Sequence, residues 1–262
     1  MTLINRFAEL LKYRELIRNL VIRDLKLRYR SSIMGFLWCL VNPLLMMLVF
    51  TVVFTVLLRN NTTENYPVFI LIGILAWNLH STAVTGGITS VVNNAGLVQK
   101  VYFPREVLPI SVVLSNTVNF VLALIVLFVL IFISRIPLSL SLVYLPLLLL
   151  LQVIFTIGLA LGLSAINVFF RDTAIIMDTL MLAWFFLTPI FYSVQDLFPD
   201  YARMMYWLNP VASFISSYRI ILYNGGAPGM DFLLRTVLTS VIVFVIGYVI
   251  FARVSKNFGE VL

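Results

Sequence analysis

Residues 107–133 read VLPISVVLSNTVNFVLALIVLFVLIFI, a run without one acidic or basic side chain. About 20 consecutive apolar residues in helical form cross the hydrocarbon core of a bilayer, which is roughly 30 Å thick. A run of this length with no charge therefore reads as a membrane span. Outward from it, residues 142–168 are equally free of charge. Across the chain 61% of residues are hydrophobic and 11% are charged, with a mean hydropathy of +1.05. Soluble domains carry about 25% charged residues, so the sequence describes an integral membrane protein. Further apolar stretches at 33–58, 67–88, 174–194 and 232–252 complete a set. The first has Trp38 near its start and Arg59 just past its end, and the second follows RNNTTENY. The expected fold is all-α, with six transmembrane helices forming one domain over 31–262.

Residues 1–30 form a separate cytoplasmic segment carrying eight of the eighteen Lys and Arg residues. Phe7, Leu10, Tyr13, Ile17 and Leu20 recur at three- and four-residue steps, which places them on one helical face. A basic amphipathic helix of this kind lies in the headgroup interface. The segment lacks the short apolar core and small-residue site of a cleavable signal peptide. With the N-terminus inside, the inside segments hold thirteen of the Lys and Arg residues and the outside segments five. That bias fits the positive-inside rule and puts both termini in the cytoplasm. Cys39 is the single cysteine, so neither a disulfide nor a Cys-based metal site can form within the chain.

The segment between the fifth and sixth spans is outside by this count, yet rich in Tyr, Phe and Trp. Its apolar piece near 204–223 contains Asn209-Pro210 and Arg219 and makes a poor full crossing. A re-entrant helical hairpin broken near Asn209-Pro210 fits better than a loop resting on the leaflet. Irregular backbone at membrane depth must be buried in protein or line a wet cavity.

Several classes are excluded by what the chain lacks. Ion-coupled transport uses titratable groups near mid-membrane, whereas Asp178 lies only a turn or two from a span end. His80 reads as a helix–helix hydrogen-bond partner. No G-x-x-x-x-G-K-[ST] phosphate loop occurs. No nucleophile–base pair, catalytic carboxylate pair or metal cluster stands out, so no catalytic residue, metal or cofactor is assigned to this chain. Energised work would need a partner acting on the cytoplasmic side. Residues 93–106, NNAGLVQKVYFPRE, suit that contact as a short helix ended by Pro104 and Pro109. Lys100, Arg105 and Glu106 offer charge there, and Tyr102 and Phe103 offer aromatic anchors. The shorter inside loop FFRDTA carries Arg171-Asp172. Both loops are also what ordinary hydrophilic connections look like.

Five stretches carry a family resemblance: DLKLRYRSSIMGFLWCLVNPLLMMLVF at 24–50, QKVYFPREVLP, NVFFRDTA, TPIFYS and LNPVASFISSYR. In that order they resemble the ABC-2 type permeases that export surface polysaccharides, and the likeness covers essentially the whole chain. The resemblance implies a homodimeric pore in the bacterial inner membrane, docked to two separate ATPase subunits that bind ATP and Mg. Its substrates would be lipid-linked glycans, such as O-antigen on undecaprenyl diphosphate or, as the nearest alternative, wall teichoic acid. By position, Gln99, Lys100, Tyr102, Phe103, Pro104, Arg105 and Glu106 match the first coupling helix. Arg171 and Asp172 match the second.

A sliding polymer calls for many weak contacts from aromatic faces and exchangeable hydrogen bonds. Candidate channel residues are Trp38, Phe185, Phe186, Phe191, Tyr192, Tyr206 and Trp207, with Asn42 and Asn78 as polar partners. An ordinary interfacial belt and lipid-facing Phe would use the same residue types. Arg23, Lys26 and Arg30 form a basic stripe where the N-terminal helix meets the first span, suited to a lipid diphosphate. Anchoring on anionic lipid or meeting the ATPase would use the same stripe. The expected partners are a second copy, the ATPase pair, membrane lipids and the lipid-linked glycan, with no nucleic acid. Drug exporters of the same class, a structural subunit and a membrane glycosyltransferase are the alternatives. The last would need a carboxylate or base facing a cavity, and only Asp196, Asp200 and Asp231 are on offer.

Overall fold

The computed structural model describes residues 12–29, 35–57, 63–194 and 199–262. Among them the chain is helical, with no strand. The helices are α1 (Arg14–Tyr29), α2 (Trp38–Thr51), α3 (Tyr66–Asn93), α4 (Ala95–Lys100), α5 (Val107–Ile133) and α6 (Tyr144–Phe169). They continue with α7 (Asp172–Leu187), α8 (Ala202–Leu208), α9 (Pro210–Leu222), α10 (Met230–Val254) and α11 (Phe258–Val261). Four are long and apolar enough to cross a membrane: α3, α5, α6 with its leading turn (Leu140–Phe169), and α10 with its trailing turn (Met230–Asn257). Two shorter apolar helices cover Leu40–Thr55 and Pro210–Leu222.

Two helix ends differ from the apolar runs that announce them. Apolarity continues to residue 194, but α7 stops at Leu187, because Pro189 pushes the residue before it out of helical geometry. Thr188 is accordingly extended, with φ −94° and ψ 133°. At 16 residues α7 is about 24 Å long. Helix α3 does the reverse, running through Gly86-Gly87 to Asn93. Gly87 serves packing: a Cβ there would lie 2.6 Å from the Ala160 Cβ on α6.

Helix α3 is the central pillar, touching α2, α5, α6, α7 and α9. In its most apolar window 78% of residues are buried, against 22% for α10. One polar seam ties α6 to it. Gln152 Nε2 donates to the Ala76 carbonyl at 2.8 Å, and Asn167 Nδ2 donates to the Ile88 carbonyl at 3.1 Å. Between them His80 Nδ1 meets Thr156 Oγ1 at 3.5 Å. Hydrogen bonds between helices add to close packing where lipid supplies no hydrophobic drive. On the other side of α6, Gly158 and Gly162 let α10 approach to backbone contact at Gly247.

Helices α8 and α9 are separated at Asn209. Its Oδ1 accepts from the Val211 and Ala212 amides at 3.1 and 3.3 Å, which caps α9. Its Nδ2 donates to Thr188 Oγ1 at 2.9 Å, and Trp184 Nε1 donates to its Oδ1 at 2.9 Å. One side chain thus fixes the start of α9 and the exit of α7. At the other end of the bundle α1 lies along α5. Its Ile17 and Leu20, with Tyr13 just ahead of the helix, pack into a cluster with Val98, Phe103, Phe251 and Phe258. Both described chain ends meet there. Phe7 and Leu10, expected on the same face, lie outside the described residues.

Candidate functional site

Three of the expected channel residues meet in one cleft of about 360 Å³ between α1, α2, α3 and α5. Trp38 and Asn42 come from α2 and Asn78 from α3, joined by Thr82, Asn116 and Asn119. At the end of α1, Arg28 lines the same cleft and donates from Nη1 to Asn116 Oδ1 at 3.0 Å. Thr82 Oγ1 reaches that oxygen at 3.1 Å, while Asn116 Nδ2 is held by the Val112 carbonyl at 2.8 Å. Asn116 stands nine residues into α5, about 13 Å along the helix from its start. Polar side chains at that depth are costly unless they are satisfied or line a cavity, and here they do both. Among the described residues, no carboxylate is in ion-pair range of Arg28. A guanidinium, amide groups and an indole in one concave wall can hold hydroxyl-rich or anionic matter through many small contacts.

The other expected channel residues lie apart from this cleft. Phe185 and Phe191 sit in an aromatic cluster with ring centres 5.1 Å apart, Phe191 being stacked on Phe54 at 5.3 Å. Phe185 also meets Trp77 at 5.5 Å. Phe186 and Trp207 are exposed, and Arg235 lies 5.5 Å above the Trp207 ring. Tyr206 lines a second cavity of about 240 Å³ at the far end with Ser193, Ser216, Arg219, Tyr223 and Asn224. Tyr192 is half-buried, its carbonyl accepting from Arg219 at 3.3 Å.

Arg219 is the residue that the sequence pattern underrates, since there it looks like one more outside charge. It is 7% exposed. Its guanidinium donates to the carbonyls of Ile190 at 2.6 Å, Pro189 at 2.7 Å and Phe69 at 3.4 Å, and lies 3.5 Å from the Phe69 ring centre. The side chain cinches the turn after α7 to α3 and α9. Space for it comes from Gly73, where a Cβ would be 3.0 Å from Nη2.

At the opposite end, the expected coupling residues divide into outward and inward groups. Gln99, Lys100 and Tyr102 are exposed, Tyr102 at 92%. Phe103 and Glu106 are buried, and Pro104 and Arg105 are intermediate. Arg105 Nη1 donates to the Ser255 carbonyl. In the second turn Arg171 and Asp172 are exposed, as is Phe170, which the sequence reading passed over. Of the basic stripe, Arg23 Nη1 donates to Asn94 Oδ1 at 3.1 Å and its Nη2 pairs with Asp24 at 3.2 Å, tying α1 to the end of α3. Lys26 is exposed, and Arg30 lies outside the described residues.

A helical bundle with four membrane-length spans, a polar cleft at span depth and exposed aromatic turns at one end has the makings of a membrane transport subunit. The profile of the ABC-2 type transporter family matches residues 15–223. The O-antigen export system permease protein RfbA of Myxococcus xanthus is 40% identical over 260 residues, 98% of this chain and 99% of that protein. A protein of the same name from Klebsiella pneumoniae is 34% identical over 241 residues, 92% of each chain. The capsule polysaccharide export inner-membrane protein CtrC of Neisseria meningitidis serogroup B is 28% identical over 217 residues, 78% of this chain and 79% of that one. The chain belongs to the ABC-2 type transporter family, as a transport subunit without its own ATPase activity.

Proposed function

We propose that this chain is the permease half of an ATP-driven exporter that carries a lipid-linked polysaccharide, of O-antigen type on undecaprenyl diphosphate, across the bacterial inner membrane. The supporting observation is whole-chain similarity to a permease named for O-antigen export, and the cleft supplies fitting chemistry. In this reading α2 and α7 are the first and fifth of six spans, and α8 with α9 forms a re-entrant hairpin. Helix α1 lies in the interface, both termini are cytoplasmic, and two copies enclose the pore. Trp38, Asn42 and Asn78 contact sugar units, while Arg28 in the cleft and, separately, the basic stripe of Arg23, Lys26 and Arg30 favour the diphosphate. Phe185, Phe186, Phe191, Tyr192, Tyr206 and Trp207 belong to the aromatic path farther out. The separate ATPase pair, which binds ATP and Mg, meets Gln99, Lys100, Tyr102, Arg171 and Asp172. Phe103, Pro104, Arg105 and Glu106 support that contact from behind.

The test is complementation of a strain that lacks its own permease. Wild type restores glycan at the cell surface. Asn42→Leu combined with Asn78→Leu, at equal protein level, leaves lipid-linked glycan inside. Full surface glycan from the double variant would refute the assignment of the cleft. A permease-null strain that accumulates no lipid-linked glycan would refute the substrate.

A further inference from the structure

Helix α10 does not end the chain when its apolar run is finished. A 3-10 turn at Ser255–Asn257 redirects the backbone, and α11 returns Phe258 to the interior. Phe258 is fully buried. It meets Phe251 edge-on at 5.4 Å and 89°, and Phe169 at 6.1 Å. The same cluster holds Phe103, Leu20, Val98 and Val168. Arg105 closes the arrangement: besides its bond to the Ser255 carbonyl, its guanidinium carbon lies 5.9 Å from the Phe258 ring centre. Phe103 and Arg105 belong to the 94–106 turn, and Phe169 immediately precedes the second turn at 170–172. One residue near the C-terminus therefore packs behind both turns.

This arrangement answers a mechanical need. Past Val101 the first turn is extended and irregular, with few backbone hydrogen bonds until Val107 bonds back to Pro104. Such a segment yields locally when pushed, because little cooperative structure resists it. Its knob, Tyr102, is 92% exposed. A close-packed aromatic block behind it passes displacement on, since packed interiors are stiff. We infer that residues 255–262 form a wedge joining the two turns into one mechanical unit, with Phe258 and Arg105 as its positioning residues. The inference rests on the proposed contact of these turns with the ATPase.

The experiment uses the full chain in lipid nanodiscs, with Cys39 replaced by Ala and spin labels at Lys100→Cys and Arg171→Cys. The distance between labels is measured on the permease alone, and permease-stimulated ATP hydrolysis is measured on unlabelled protein with its cognate ATPase. Phe258→Ala is expected to broaden the distance distribution and lower stimulation at least fivefold, with ATPase binding within about threefold of wild type. Phe258→Leu restores both. Arg105→Met, which keeps the apolar stem but removes the donor, shows the same loss in milder form and covers the case in which Phe258→Ala folds poorly. A narrow distribution or undiminished stimulation in both Phe258→Ala and Arg105→Met would overturn the wedge. Unchanged ATPase binding in Tyr102→Ala would instead defeat the docking assignment, because the distance measurement needs no ATPase.

Discussion

Replacing Gly247 by alanine adds one methyl group where α6 and α10 cross, and its cost can be graded against three other glycines. A Cβ at Gly247 would fall on the Gly158 carbonyl group. At Gly158 it would come within 2.5 to 2.7 Å of the backbone at Val243 and Phe244. Both clashes are with main chain, so no rotamer change relieves them and the helices must separate. Overpacking costs about 1–3 kcal/mol, and backbone against backbone belongs at the upper end, about 3 kcal/mol. At Gly162 the new atom would be 3.3 Å from the Gly247 Cα, a contact that a small adjustment absorbs at about 1 kcal/mol or less. At Gly96, nothing lies within 4 Å, and alanine gains up to about 1 kcal/mol of helix propensity. For a chain of this size 1 kcal/mol moves Tm by roughly 2–4 °C. Thermal unfolding in detergent should therefore place Gly247→Ala and Gly158→Ala roughly 6–12 °C below wild type. Gly162→Ala should fall slightly below wild type and Gly96→Ala at or above it. A Gly247→Ala protein within about 1 °C of wild type would refute the close crossing; so would a reversed order of the series.

Arg219→Lys should destabilise by about 2–4 kcal/mol, because an ammonium cannot reproduce a planar fork bonded to several carbonyls; melting and limited proteolysis between α7 and α9 report it. Arg28→Ala should reduce glycan export about tenfold with little change in Tm, and Arg28→Lys should recover part of it, read from surface glycan at equal expression. Tyr102→Ala should weaken ATPase binding about tenfold or more, the loss typical of an exposed aromatic anchor, without moving Tm.

How far the sequence discloses this structure depends on whether a feature is local. The charge-free run at 107–133 is helix α5 from end to end, because length and apolarity alone decide it. The break at Asn209 is legible as well, being written in backbone chemistry, whereas the apolar run that carries on to residue 194 hides the stop before Pro189. Gly86-Gly87 misleads locally: the pair looks like a span end, but its purpose lies in Ala160 on another helix. Arg28 was passed over for a similar reason. On α1 it points roughly opposite to Arg23 and Lys26, toward Asn116 on α5, and no sequence pattern names the neighbour on that side. The aromatics show the same limit. Their concentration in TPIFYS is legible, but Phe191 packs into the core while Phe186 stays exposed. Phe258, in the unremarkable tail RVSKNFGEVL, acquires meaning only when α10 turns it under Phe103.

Transport by the purified chain and its cognate ATPase, reconstituted together in liposomes with a lipid-linked glycan, measures the central claim directly. The predicted result is ATP-dependent movement of the glycan away from the ATPase-bearing face, requiring both chains and falling sharply in Asn42→Leu with Asn78→Leu. Movement at the wild-type rate through a cleft with those amides removed, or ATP hydrolysis that never responds to the permease, would contradict it.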